Sequence, residues 1–299
     1  MNIALVTYQD QGAYHQTSVE NEDDLLINFL NSRGLSVEKT IWNNQEVNWE
    51  KYDLVILKSP WDYFNLIEDF YEWLNLLKSK NVKVLNPADT LKWNADKHYL
   101  IDIEQAGLSV TPSIFLAKGT KANLQQYFKH FKVDTLICKP VVSGGSKNTF
   151  KITLNNLDEF EQKIDLLLSH EEFIIQPFLS EIETRGEWSF IFFGGNFSHA
   201  LLKKVKANDF RVQTQFGGTI HLHTPLPSLL NSAQEYIDRF AKNCLYARVD
   251  GAIVNDKFIL MELELIEPFL FLETNPHSLE NYYRALSKMI TSNITSHSH

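Results

Sequence analysis

The densest chemistry in the chain lies in two short runs near residue 250. In Ala247-Arg248-Val249-Asp250-Gly251, alternation along a strand puts Arg248 and Asp250 on one face, and in Met261-Glu262-Leu263-Glu264-Leu265 it does the same for Glu262 and Glu264. Asn255-Asp256 between them is a turn signal, so the runs pair as a hairpin and three carboxylates converge on one guanidinium. Neighbouring carboxylates repel unless they share a cation, and hard oxygen donors of this kind suit Mg²⁺ held jointly with phosphate oxygens. The alternative is a solvated acidic face paired with Arg248, which the apolar flanks make less comfortable.

A cationic group lies upstream. Lys139 ends an apolar strand and is followed by Val142-Ser143-Gly144-Gly145-Ser146-Lys147, a flexible turn whose backbone N–H groups can cradle a phosphate beside the lysine. An ordinary hairpin loop with exposed lysines is the competing reading. Neither G-x-x-x-x-G-K-[ST] nor G-x-G-x-x-G occurs, and there is no nucleophile elbow. His221 and His223 alternate on an expected strand without further ligands nearby, which fits packing or substrate contact better than zinc.

The elements that must position these groups fall into three stretches. Strands at 3–8, 37–42, 53–58 and 82–85 alternate with helices at 19–33, ended by Gly34, and at 66–79, which predicts an open parallel sheet over residues 1–92. Ligands of such sheets sit at the carboxyl ends of strands, so Lys58-Ser59-Pro60-Trp61-Asp62-Tyr63 is a candidate binding loop, or else a proline-bearing turn with a buried tryptophan. Residues 93–175 read as a compact α+β unit: a helix with Lys97, strands at 111–116, 135–141, 149–154 and 173–178, and helices near 121–131 and 158–168. Residues 176–292 are hairpin-rich, with turns at Gly194-Gly195-Asn196 and Asn255-Asp256 and helices near 229–243 and 278–291, before a short polar tail at 293–299. The fold class is therefore α/β, turning to α+β in the C-terminal two-thirds.

Composition narrows the function classes. The 299 residues are 44% hydrophobic, enough for large cores, and 28 basic against 37 acidic residues give a formal charge of −9, which offers nucleic acid or anionic membranes no general attraction. Cys138 and Cys244 stand too far apart for a disulfide scaffold, no apolar run reaches about 18 residues, and the residues leading into Ile3-Ala4-Leu5-Val6 carry no basic n-region or cleavage site. The expectation is a cytoplasmic protein that engages neither nucleic acid nor membrane.

The order of the chemical groups along the chain carries a resemblance. Lys97, then Lys139 with its glycine loop, then Gln176-Pro177-Phe178-Leu179 with Glu187, then Lys203, Arg211 and Gln213, then Arg248, Asp250, Glu262 and Glu264 resemble, over about residues 86–270, the ATP-grasp superfamily of ligases. The preceding segment is similar to the pre-ATP-grasp domain of those enzymes. Ser59-Pro60-Trp61-Asp62-Tyr63, Asp209-Phe210-Arg211-Val212-Gln213 with Gly217-Gly218, and Met261 to Pro268 resemble the branch of glutathione-synthetase-like and ribosomal-protein-modifying ligases, the cyclo-ligases of cycloserine biosynthesis above all.

The resemblance implies an ATP-grasp fold and an ADP-forming ligase. Lys97 and Lys139 would contact ATP phosphates under the loop Ser143, Gly144, Gly145, Ser146. Gln176, Pro177, Phe178 and Leu179 would hydrogen-bond adenine through their backbone, and Glu187 would take the ribose. Asp250, Glu262 and Glu264 would hold Mg²⁺ or Mn²⁺, with Lys203 and Arg211 neutralising phosphate and Arg248 stabilising the tetrahedral transition state. The usual final E-x-N reads here Glu262-Leu263-Glu264, one negative charge more; the rival Glu273-Thr274-Asn275 sits where a loop enters the last helix and reads as a capping segment. Trp61, Asp62, Arg211, Gln213, Gly217 and Gly218 would hold the substrate, a small-molecule carboxylate and an amine of amino-acid or small-peptide type, ligated or cyclised through an acyl phosphate. A homo-oligomer is compatible with this. Two alternatives are a nucleotide-binding regulatory module without turnover and an ATP-dependent small-molecule phosphotransferase.

Overall fold

The structure is a computed structural model that describes residues 1–9, 17–205 and 217–296, with side chains at 17–21 and 292–296 left aside. The first layer contains β1 (Asn2–Thr7), α1 (Thr17–Ser32), β2 (Ser36–Ile41), β3 (Leu54–Ser59), α2 (Ile67–Ser79) and β4 (Val84–Leu85). Its strands are parallel in the order β2-β1-β3-β4. The inner strands β1 and β3 are buried on both faces, which is why they read as unbroken apolar runs, whereas β2 at the edge mixes exposed and buried residues. Gly34 follows α1 at φ +84° and donates its N–H to Asn31 O, the left-handed residue that closes a helix.

Helices α3 (Ala88–Asn94) and α4 (Tyr99–Gln105) lead into a second unit of β5 (Ile114–Leu116), α5 (Gln125–Phe131), β6 (Thr135–Pro140), β7 (Phe150–Thr153), α6 (Leu157–Leu168) and β8 (Phe173–Pro177). Its antiparallel sheet runs β5-β8-β6-β7. Along β6 the residues Leu136, Cys138 and Pro140 are buried, and Cys138 and Leu136 join Ile152, Ile164 and Phe173 in the core under the helices. The alternation therefore turns Ile137 and Lys139 to the opposite face. The expected strand at 111–116 shortens to its last three residues because Thr111 is tied elsewhere, donating both N–H and Oγ1–H to Leu260 O. The helix expected from 121 starts at 125: Asn123 sits at φ +40°, and Ala122 N–H and Leu124 N–H are capped instead by Asp165 and Glu161 of α6.

The third unit comprises α7 (Glu181–Arg185), β9 (Glu187–Phe193), β10 (Asn196–Lys204), β11 (Thr219–Leu222), α8 (Pro227–Tyr236), β12 (Tyr246–Val254), β13 (Lys257–Glu264) and α9 (Ser278–Ser296). Its antiparallel order is β11-β10-β9-β12-β13. Asn255 and Asp256 lie at φ +48° and +60°, the paired left-handed conformation of a tight hairpin turn, and they set a register in which Arg248 faces Glu264 and Asp250 faces Glu262. The helix expected over 229–243 is α8 followed by one π turn at Ile237–Ala241. No helix among the described residues is long and apolar enough to cross a membrane.

Buried amides clip the units together. Asn86 donates to Tyr246 O (2.9 Å) and Leu265 O (2.8 Å) and accepts from Leu245 N (2.7 Å) and Tyr246 N (3.3 Å). Asn94 repeats the pattern on β13, donating to Leu263 O at 2.7 Å and accepting from Leu265 N at 2.9 Å. His199 of β10 is 2% exposed and bonded to Leu270 O at 3.0 Å; burial holds its pKa down at about 4.

Two stability predictions follow from these contacts. Asn86→Ala strands buried backbone groups on β12 and past β13, so chemical denaturation should show a loss of about 3 kcal/mol or more; an unchanged midpoint would deny the clip. For His199, folded and unfolded states are both neutral above pH 6.5, and below it the unfolded chain takes up a proton the folded chain refuses. Stability should therefore fall as pH drops from 6.5 toward 4, by up to about 3 kcal/mol, and urea titrations of His199→Gln should lack that share of the slope.

Candidate functional site

The second and third units close on a cavity of about 520 Å³, within the size range of small-molecule sites. Its floor is the acidic end of β12 and β13. Asp250 accepts from Arg248 Nε (3.0 and 3.1 Å) and Nη2 (2.9 Å), from Lys203 Nζ (3.3 Å) and from Ser189 Oγ. Arg248 Nη2 also bonds Glu264, and its Nη1 donates to Phe269 O at 3.0 Å. Lys203 bridges on to Glu187 at 3.0 Å. Burial pushes the Asp250 carboxyl up, but Arg248 and Lys203 outweigh it and the group is held below its ordinary range. Glu264 is different: burial raises it to about 7, because Arg248 is shared and Asp250 and Glu262 repel it.

The roof is the glycine loop. Lys97 Nζ donates to Ser143 O (3.0 Å) and Ser143 Oγ (3.2 Å) and lies 3.6 Å from Glu262, tying the loop to the floor. Burial opposes the charge on Glu262, yet Lys97 and Lys139 keep its carboxyl below the usual range. Gly144 packs so closely that a Cβ there would fall 2.7 Å from the Phe64 ring and 3.3 Å from Glu267 Oε1, so no larger residue fits without displacing that ring. Lys139 also faces the cavity. Burial lowers its pKa, Lys97 adds to the effect, and Glu262 offsets it only partly. Among the described residues no carboxylate comes within ion-pair distance of Lys139, which makes it the cavity's one cation without a partner.

The expected groups distribute as follows. Lys97, Lys139, Ser143, Gly144, Gly145, Ser146, Gln176, Pro177, Phe178, Leu179, Glu187, Lys203, Arg248, Asp250, Glu262, Glu264 and Trp61 all line the cavity. Phe178 N–H is committed to Thr135 O at 3.0 Å, which prolongs the sheet past β8, and the Gln176 side-chain amide donates to Ser113 Oγ at 2.9 Å. Asp62 is not among the residues that line the cavity, and its carboxylate accepts the Trp42 indole N–H at 2.6 Å. Gly217 and Gly218 precede β11 outside the cavity wall, to which β11 contributes Ile220 instead. Arg211 and Gln213 lie outside the described residues. Among the described residues no three His, Cys, Asp or Glu side chains converge as a ready metal cage, because Arg248 stands between Asp250 and Glu264. Glu262 and Glu264 remain open to the cavity.

Five residues had no assigned role in the sequence reading. Glu267, just past β13, lines the cavity, and among the described residues no hydrogen bond or ion pair engages its carboxylate; burial lifts its pKa well above the ordinary value, and Glu264 and Glu262 add to the rise. Ser189 shares a face of β9 with Glu187, which period-two alternation alone could have found. Glu22, Phe269 and Phe271 reach the site from α1 and from the loop after β13, and no local pattern signals them.

Comparisons with known proteins agree with this architecture. Residues 3–86 match the family described as D-cycloserine synthetase DcsG, N-terminal domain. The cycloserine biosynthesis protein DcsG of Streptomyces lavendulae is 24% identical over 195 residues, 64% of this chain and 62% of that protein, so the match spans under two thirds of the curated relative. Among solved structures, D-cycloserine synthetase DcsG superposes with a TM-score of 0.84 at 20% identity, covering 96% of this chain and 99% of that one. D-alanine–D-alanine ligase from Bacillus anthracis follows at TM-score 0.72 and 16% identity, covering 99% and 98%. An ATP-grasp RimK domain protein from Sphaerobacter thermophilus gives 0.69 at 12%, covering 94% and 97%. The chain thus has the ATP-grasp fold, introduced by an N-terminal domain that matches the DcsG family.

Proposed function

We propose that the protein is an ATP-dependent, ADP-forming ligase that activates a carboxylate as an acyl phosphate and joins it to an amine. The observation that carries this reading is Lys139: an ammonium without an ion-pair partner, facing a buried cavity beside Lys97 and a glycine loop, is a receptor for an anion that arrives from outside. The apolar lining of the cavity suits a nucleoside. Ile137, Phe178, Leu179, Ile182 and Met261 offer an apolar slot for a flat base, and Glu187 stands where a sugar hydroxyl would follow.

The acidic floor fits a divalent cation. Glu262 and Glu264 are hard oxygen donors; burial raises the Glu264 carboxyl and repulsion from Asp250 and Glu262 adds to the rise, a cost that such an ion would relieve. Mg²⁺ or Mn²⁺ held by Glu262 and Glu264 would neutralise the triphosphate and orient its terminal phosphoryl group. Lys97, Lys139 and the loop amides bind the phosphates and hold them in line with the incoming carboxylate. Arg248, locked by Asp250 and Glu264, retains an N–H on Nη1 beyond the one given to Phe269 O, and this can meet the oxyanion formed when the amine attacks. Trp61, anchored by its indole N–H to Glu267 O at 3.3 Å, forms the acceptor end.

The substrate class is an amino acid or small peptide derivative. The name of the Streptomyces relative favours one whose nucleophilic nitrogen lies in the same molecule as the carboxylate, so that the product is a ring.

The test is Mg²⁺-dependent release of ADP and free phosphate over a panel of amino acids, dipeptides and ureido or hydroxylamine derivatives, with Glu262→Gln as control. Release that needs a carboxylate and disappears in the variant is expected. Nucleotide binding with no release across the panel would point to a regulatory module, and phosphate retained in product to a phosphotransferase. Separately, Lys139→Met should weaken ATP binding about tenfold to a hundredfold, as expected when a desolvated charge-assisted contact is removed. Its melting temperature should hold or rise, since no native ion pair is lost; a large fall would mean that Lys139 serves the fold.

A further inference from the structure

Building on the ligase reading, we propose that Phe271 is a water shield over the reacting end of the cavity, and that Glu22 of the N-terminal domain is the positioning residue that holds it there. Phe271 lies in the loop between β13 and α9 at φ +53°, a left-handed conformation that a bulky side chain rarely adopts. The surrounding backbone is pinned on every side. Glu22 Oε1 and Oε2 accept Leu270 N (2.8 Å) and Leu272 N (2.9 Å), Arg248 donates to Phe269 O (3.0 Å), His199 holds Leu270 O (3.0 Å), and Ser278 Oγ bonds Leu272 O. Glu22 is itself fixed by Lys58 at 2.9 Å, both fully enclosed at the carboxyl end of β3.

This apparatus presents one aromatic ring. The Phe271 ring lies 5.7 Å from Lys203 Nζ and 5.8 Å from Arg248 Cζ, and Phe269 packs edge-on against it at 4.9 Å. It therefore lies against the two cations that grip Asp250 and forms the apolar part of the cavity wall beside them. Glycine would meet the backbone requirement without strain, so a phenylalanine held there by so many contacts points to a use for the ring itself. An activated carboxyl or a bound triphosphate at this floor is exposed to attack by water, and excluding water is what an apolar lid over charged groups accomplishes. In the unwanted reaction a water oxygen bonds to the terminal phosphorus, the bond to the ADP oxygen breaks, and the released proton passes to solvent.

The test compares Phe271→Gly and Glu22→Gln with the wild type, using AMPPNP for binding and Mg·ATP without any acceptor for hydrolysis. Phe271→Gly should fold, bind AMPPNP within about threefold of wild type and hydrolyse ATP about tenfold faster, while Phe271→Tyr keeps the wild-type rate. Glu22→Gln should speed amide exchange at Leu270 and Leu272 more than elsewhere and raise hydrolysis in the same direction. Unchanged hydrolysis in Phe271→Gly, or a loss of AMPPNP binding in step with it, would overturn the shield. A wild type that binds no AMPPNP would instead overturn the ligase reading itself.

Discussion

Buried charge is the constraint on which the site depends. Arg248, Asp250, Glu264, Lys203 and Glu187 form a connected ionic network under the cavity. Taking such groups out of water is costly unless each finds partners in good geometry, so the positions of β9, β10, β12 and β13 are bound to one another by more than their ladder hydrogen bonds. The network is satisfied on the Asp250 side and left unfinished on the other. Among the described residues Lys139 lacks an ion pair and the Glu267 carboxylate lacks a partner, and Glu264 holds a proton at pH values where an ordinary carboxyl would not. A site finished only by a charged ligand is what a phosphate-handling enzyme requires.

The rest of the fold supports that imbalance. Asn86 and Asn94 fasten the start of the chain to β12 and β13, and Glu22 reaches from α1 to the loop after β13. The parallel-sheet domain is thus more than a neighbour of the cavity. It fixes one wall of it through buried hydrogen bonds whose geometry does not depend on solvent. The glycine loop, by contrast, is joined to the floor mainly through Lys97 and Ser143 and through the contact of Gly144 with Phe64.

Much of this was readable in the chain itself where the signal is local. Period-two alternation placed Arg248 with Asp250 and Glu262 with Glu264, and the Asn255-Asp256 turn fixed the register that makes them face each other. Lys139 and the loop from Ser143 to Ser146 were legible for the same reason: a strand end followed by glycines leaves few conformations. Asp62 was expected at the site from its loop, and no local signal shows that the Trp42 indole, twenty residues away, engages its carboxylate. Glu22, Glu267 and Phe271 carried no periodic signal, since their roles arise from contacts across the whole chain. Arg248 was expected beside the carboxylates; its insertion between Asp250 and Glu264 depends on side-chain geometry that alternation does not specify.

The central claim is that a substrate carboxylate takes the terminal phosphoryl group before the amine attacks. The direct measurement uses a substrate that supports ADP release, with ¹⁸O in both carboxyl oxygens, and mass analysis of the phosphate after one turnover. An acyl phosphate requires that one labelled oxygen leave in the inorganic phosphate. Phosphate that carries no label, with both labelled oxygens still in the organic product, would contradict the account.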